Sequence, residues 1–532
     1  MSAPDSAPSE SARPPGTSRV ASLVGEKGSG RRRLVGNGLW TTAVFVANAV
    51  VMFLLSPFVR TRLGNAGYGV WEVVISLTGY FGFADLGIKP AAVYFVARHD
   101  ALGEPARVNR YANTAFVVFA IAGALVFLVA LACAPWFTAW FRVPADHAAD
   151  ARAALLVTSA SIAATLPLHA YSAVVIGKQR YALTSATDLV VLLAKTAATV
   201  FALTHGGGLL ALAWIALGAD VLEMGTKARL GFLAEPALRL RPRIADRASA
   251  RGLLAFGAGA ILVNLAQLLV WRTDALVIGA TIGAEAVAIF AVGSKIPFYA
   301  RSLTGAASRV LAPEATRLDT KGSAPEILRM LSRSSRAMLL VAGAMIAYLL
   351  TVGAPFLARW QGEEFRGEAF VVMAVLALGA LGPIAAQPFE HVLYGARRVM
   401  PLAWLSIVEG ALNLAVSIAL ARPYGVVGVA IGTAAPGLLV RLVALPIYGV
   451  RAFGGAFGAF ALRSFALPLA AVAITTLVLH ALVGRDDALG WPALVGLAVG
   501  AQGLFLAVAT ALARLAPRAW SREPEPVAGG AA

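Results

Sequence analysis

Long runs without a single charged side chain constrain this chain more than any other feature. Residues 34–59, 111–133, 337–358 and 491–513 contain no Asp, Glu, Lys or Arg. A helix of about 20 apolar residues crosses a hydrocarbon core about 30 Å thick. It also satisfies its backbone N–H and C=O groups internally, as lipid requires. Only 14% of the 532 residues are charged and 59% are hydrophobic, against about 25% charged in a soluble domain. The chain therefore reads as an all-α polytopic membrane protein. About fourteen spans are expected, at 36–59, 68–88, 111–133, 153–176, 186–204, 208–226, 252–271, 286–304, 337–357, 369–387, 401–420, 425–448, 460–483 and 491–513.

The net charge of +17 would suggest nucleic acid in a soluble protein. Here the basic residues lie between the apolar runs, where they act as topology determinants, so nucleic acid is not an expected partner. With the N-terminus inside, the inner segments hold 32 Lys and Arg and the outer loops hold 9. That bias places both termini in the cytoplasm. Residues 1–30 and 516–532 read as cytoplasmic tails, the first rich in Ser, Pro, Ala and Gly. Arg31–Arg33 precede a run too long for a signal h-region and without a small-x-small cleavage site before Arg60, so it stays as the first span. The one cysteine, Cys133, can form neither an internal disulfide nor a metal cluster. No metalloprotease motif, phosphate-binding loop or nucleophile elbow occurs, so no catalytic residue, metal, cofactor or enzymatic activity is expected.

The chain repeats itself. Leu63–Trp71 (LGNAGYGVW) lines up with Ile282–Phe290 (IGAEAVAIF), at an offset of 219. Ile121–Ala124 and Ala134-Pro135 answer Val341–Ala344 and Ala354-Pro355 at 220, and Gly177–Arg180 answers Gly395–Arg398 at 218. An offset spanning six helices preserves orientation, so the expected repeats are parallel about an axis along the membrane normal. The organisation is an N-lobe at 31–226, a basic linker at 227–251, a C-lobe at 252–450, and two further spans at 451–515.

Several charges fall inside spans, where each costs about 2.5–3.5 kcal/mol at a helix centre. Lys195, Lys295 and Glu409 are central and call for a water-filled interior, ahead of an internal salt bridge. Asp188, Glu223 and Arg441 lie near enough to an end to snorkel. Asp188 is the expected charge partner of Lys195, seven residues away on the same face, and Glu409 that of Lys295. Asn264 and Gln267 read as interhelical hydrogen-bonding groups.

Residues 60–88 (RTRLGNAGYGVWEVVISLTGYFGFADLGI) follow a first span ending in Pro57 and Arg60. YFVAR (94–98) comes next, and then a third span opening on Asn109 and Asn113. With WRTDALVIGATIGAEAVAIFAVGSKI (271–296), these stretches resemble the polysaccharide flippases of the MOP superfamily, related to O-antigen flippases, lipid II flippases and MATE exporters. The resemblance covers roughly 31–450. It implies two pseudo-symmetric six-helix lobes around a cationic cavity that opens to alternate sides of a bacterial inner membrane. It also implies a lipid-linked oligosaccharide as cargo, with membrane lipids and other polysaccharide-assembly proteins as partners. By the same resemblance, Arg60, Arg62, Lys195, Arg272, Asp274 and Lys295 line the cavity. A MATE-type drug/cation antiporter is the nearest rival, but residues 36–59 lack the acidic residue that such exporters place in the first span. A membrane glycosyltransferase or polymerase needs catalytic groups on a substantial outer loop, and the longest here is about 134–152.

Overall fold

The computed structural model describes residues 30–85, 87–483 and 489–515. Residues 1–29 and 516–532, read above as tails, lie outside the described residues. So do the side chains of 30–43, 83, 258–264, 266, 267 and 271, and with them Asn264 and Gln267. Among the described residues every regular element is a helix, and ten helices are long and apolar enough to cross a membrane.

Two of those ten hold two spans each. The helix Gly30–Phe81 contains Gly64 at φ 71°, ψ 169°, and the chain doubles back there. Ser56 Oγ lies 3.3 Å from the Tyr68 hydroxyl, twelve residues on, whereas twelve residues of straight helix extend about 18 Å. The helix Val399–Gly437 turns in the same way at Gly425, φ 60°, and Asn413 Nδ2 donates to Thr433 Oγ1 at 3.0 Å across the hairpin. A side chain at such a φ costs about 1–2 kcal/mol, which glycine avoids. The helices Arg247–Trp271 and Ala284–Ser308 occupy the seventh and eighth expected spans, which makes fourteen helical passes among the described residues.

Helices outrun the apolar runs. The helix Leu209–Ala234 carries Lys227, read from sequence as the first linker residue, so the connection between lobes is only 235–246. The seventh span breaks at Arg272 and continues as Thr273–Thr281, and the ninth begins at Ala324. Hydropathy marks the part of a helix that meets lipid, while its hydrogen bonding continues into amphipathic turns. The short helices Ile88–Ala101 and Leu311–Thr320 fill the connections after spans two and eight.

The duplication is visible in the backbone. Gly64 and Gly283, Gly103 and Gly322, Arg142 and Gly362, Gln179 and Arg397, and Gly206 and Gly425 all take positive φ. Their separations are 219, 219, 220, 218 and 219 residues. The turns of one lobe recur in the other in the same order. One end of the bundle, called the Gly64 end below, carries Gly64, Arg142, Gly206, Gly283, Gly362 and Gly425. The opposite, basic end carries Gly103, Gln179, the 235–246 connection, Gly322 and Arg397.

Candidate functional site

At the Gly64 end the two lobes meet tightly. A Cβ on Gly69 of span two would lie 1.7 Å from the carbonyl oxygen of Ala284, at the start of span eight, so only glycine permits this approach. One buried apolar cluster joins Val70, Val73, Val74, Phe137 and Phe141 of the first lobe to Val277, Ile278, Val287 and Phe290 of the second. At the basic end, the buried clusters of the first lobe draw only Leu253 from the second among the described residues. Tyr94 stacks there on Phe256, with centroids 4.7 Å apart. The halves are thus sealed at the Gly64 end, and at the other end touch along the helix Arg247–Trp271.

Lys295 sits in the seal. Its Nζ donates to Ser56 Oγ at 2.9 Å and to the Tyr68 hydroxyl, pairs with Glu72 at 3.2 Å, and stands 4.7 Å from the Tyr68 ring centroid. Ser56 also accepts from Gln361 Nε2 at 3.1 Å. Arg60 Nε donates to Gln361 Oε1 at 3.2 Å, and Arg60 Nη1 reaches Asn65 Oδ1 and Glu364 Oε1, each at 2.9 Å. A continuous polar network therefore ties spans one and two to spans eight and nine. It satisfies an ammonium that would otherwise be costly to bury.

The expected charge partners are corrected. Asp188 pairs with Lys227, which also holds Glu223 at 2.7 Å. Lys195 instead stands 3.9 Å from Asp220, and Asp220 accepts from Ser161 at 2.8 Å. Seven residues of helix put Asp188 and Lys195 about 10 Å apart along the axis, beyond hydrogen-bond reach, whereas span six lies alongside. Glu409 pairs with Arg441 at 2.5 Å, not with Lys295. Arg441 also holds Glu390 at 2.7 Å and Ser406 at 3.0 Å. It lies in a π-helical turn, Leu438–Ala444, just before Pro446. A second such turn, Leu462–Ala466, precedes Pro468. A proline has no N–H for the ordinary i→i−4 bond, and a wider turn absorbs the mismatch.

Of the six residues carried over by resemblance, Arg60 and Lys295 are brought into one network. Arg272 is exposed and passes the same interface, its Nε 3.0 Å from where a Gly79 Cβ would be. Asp274 is buried in the second lobe, accepting from Thr433 Oγ1 at 2.8 and 2.9 Å. Lys195 faces Asp220 within the first lobe. Arg62 is exposed at the Gly64 end over the Phe58 ring. Sequence reasoning missed Glu72, Tyr68, Gln361, Lys227 and Glu390. For Glu72 and Lys227 a signal existed, a charge within helix reach of an apolar run.

Arg441→Ala removes the guanidinium that binds buried Glu409 and partly buried Glu390, so a loss of about 3–5 kcal/mol of stability is expected. Adding Glu409→Gln and Glu390→Gln should recover most of it. Thermal unfolding of the purified protein in detergent reads both steps.

The family of polysaccharide biosynthesis proteins matches residues 34–318, more than half of the chain. The chain belongs to the polysaccharide biosynthesis protein family. Its relatives are distant. A Shigella flexneri protein named as an O-antigen transporter is 20% identical over 401 residues, covering 75% of this chain and 93% of that protein. The lipid II flippase MurJ, in an inward closed conformation, superposes with a TM-score of 0.68 at 10% identity, covering 91% of this chain and 98% of MurJ. An inward-facing multidrug MATE transporter of the MOP superfamily superposes with 0.64 at 12% identity, over 77% and 94%. This member of the family thus has the two-lobed fold that MurJ and MATE transporters share, and its match to MurJ extends over 91% of the chain.

Proposed function

We propose that this chain carries a lipid-linked oligosaccharide, or a related anionic polyprenyl-diphosphate sugar, across a bacterial inner membrane by alternating access. In this reading it is a carrier rather than an enzyme, working beside other polysaccharide-assembly proteins. The observation that carries the proposal is the Lys295 network, a partly buried cation in the lobe interface of a polysaccharide biosynthesis protein. Sugars and a diphosphate cannot enter hydrocarbon without replacing their hydrogen bonds to water, and interior cations and hydroxyls supply replacements. A phosphate reaching Lys295 competes with Glu72, and loss of that pair weakens the seal at the Gly64 end. The cargo opens the seal only by the difference in its affinity for the two states. The bias of 32 to 9 basic residues supports a cytoplasmic basic end, cytoplasmic termini and a periplasmic seal. Residues 31–226 and 252–450 are then the moving lobes, with 451–515 riding on the second, where Val472 and Phe505 pack against Gly343.

MATE-type exchange is the second reading, favoured by the fold alone. Among the described side chains of span one, 44–59, none is acidic. Vesicles containing the purified protein separate the two. A fluorescent lipid-linked oligosaccharide in the inner leaflet should become accessible to an impermeant quencher at a protein-dependent rate. If it stays in its leaflet while an organic cation is exchanged for Na⁺ or H⁺, the flippase reading fails.

A further inference from the structure

The connection between the lobes, 235–246, is not a slack tether. Lys178 Nζ pairs with Asp100 at 2.8 Å and with Glu235 at 2.9 Å, fixing where the strap begins. Asn109 Oδ1 then accepts from the Arg239 amide at 2.9 Å. Asn113 Oδ1 accepts from the Arg241 amide at 2.7 Å, and its Nδ2 donates to the Arg239 carbonyl at 2.8 Å. The Tyr171 hydroxyl donates to the same Asn113 oxygen at 3.1 Å. Further on, the Asp246 amide donates to Thr114 Oγ1 at 3.3 Å. Four residues of helix rise about 6 Å and two of extended chain about 6.6 Å. The asparagine pair on span three therefore matches alternate amides of the strap, as a neighbouring strand would. This accounts for the Asn109–Asn113 pair, which the transport reading leaves without a role.

Pinned by its backbone, the strap turns its arginines outward. Arg239, Arg241 and Arg243 are exposed, as are Arg247 and Arg251 on the helix that follows. Arg239 partly folds back, Nη1 donating to the Pro236 carbonyl at 2.9 Å. Leu238 is buried with Tyr171 and Val174, so the strap lies at the level of the last turns of span four. Leu240, between two of the arginines, is 56% exposed, and Leu233 just before the strap 49%. Guanidinium groups interleaved with bare leucines at the end of a membrane span match the lipid headgroup layer, where both halves of the pattern are satisfied. An acidic protein partner would match the charge and leave the leucines unexplained.

We infer that the 235–246 strap is a docking surface for anionic phospholipid headgroups of the leaflet at the basic end. Topology alone needs only the number of basic residues. It does not need their backbone held in place by Asn109 and the buried Asn113.

The test uses the full chain, purified in detergent and offered equal amounts of phosphatidylglycerol and phosphatidylcholine, with retained lipid counted by native mass spectrometry. Wild type should retain phosphatidylglycerol preferentially. The triple variant Arg239→Gln/Arg241→Gln/Arg243→Gln should lose that preference by about tenfold or more. Asn113→Ala keeps every arginine and should lose part of it. High salt should weaken the wild-type preference. Equal retention of the two lipids by wild type, or an unchanged preference in a triple variant with wild-type thermal stability, overturns the inference. So does complete displacement by inorganic pyrophosphate at low concentration, which would reassign the surface to free phosphates.

Discussion

Lys295→Ala is expected to slow cargo transfer about 10–100-fold, since a hydrogen bond to a charged group contributes about 1.5–3 kcal/mol. The same change leaves Glu72 without its ion pair at 3.2 Å, so stability should fall as well. The two effects separate in the double variant. Lys295→Ala with Glu72→Gln removes the orphaned carboxylate and should restore the melting temperature while transfer stays slow. Lys295→Arg should keep part of the activity, because the charge persists although a planar guanidinium reaches Ser56 and Tyr68 differently. Full transfer by the double variant would show that Lys295 is only a structural ion pair. Transfer in vesicles and thermal unfolding are the two readouts.

Gly69→Ala should have a comparably large effect by a different route. The added methyl cannot coexist with the Ala284 carbonyl, 1.7 Å away, so the sealed state alone is penalised. Overpacking typically costs about 1–3 kcal/mol, enough to shift a two-state equilibrium by about 5–150-fold. In a Cys133→Ser background, Val73→Cys reports the shift. Val73 is fully buried in the seal, and an impermeant maleimide added at the Gly64 end should label it faster once Gly69→Ala is present. Unchanged labelling together with normal transfer would mean that the seal does not open at Gly69.

Much of this architecture was legible in the residues, and the reason is physical. Apolar runs of membrane length mark spans, and three short matches near offset 219 point to the duplicated lobes, whose positive-φ turns recur at that spacing. The interior contacts were not legible. Lys295 meets Ser56 across 239 residues and Arg60 meets Gln361 across 301. No periodicity within one helix can find such pairs. Helical spacing even misled, since Asp188 and Lys195 share a face yet take partners on span six. Lys227 was hidden because a basic residue past an apolar run looks like a loop, whereas the helix continues to Ala234.

The distance between spin labels at Asn65→Cys and Glu364→Cys, in the Cys133→Ser background, tests the opening of the seal most directly. Both native residues contact Arg60 Nη1 at 2.9 Å, from opposite lobes of the interface. Without cargo the distribution should be short and narrow. Adding a lipid-linked oligosaccharide should create a second, longer population, and in Lys295→Ala the distribution should no longer respond to cargo. A single short distance that persists while the same vesicles transfer cargo would contradict alternating opening of the two lobes at this end.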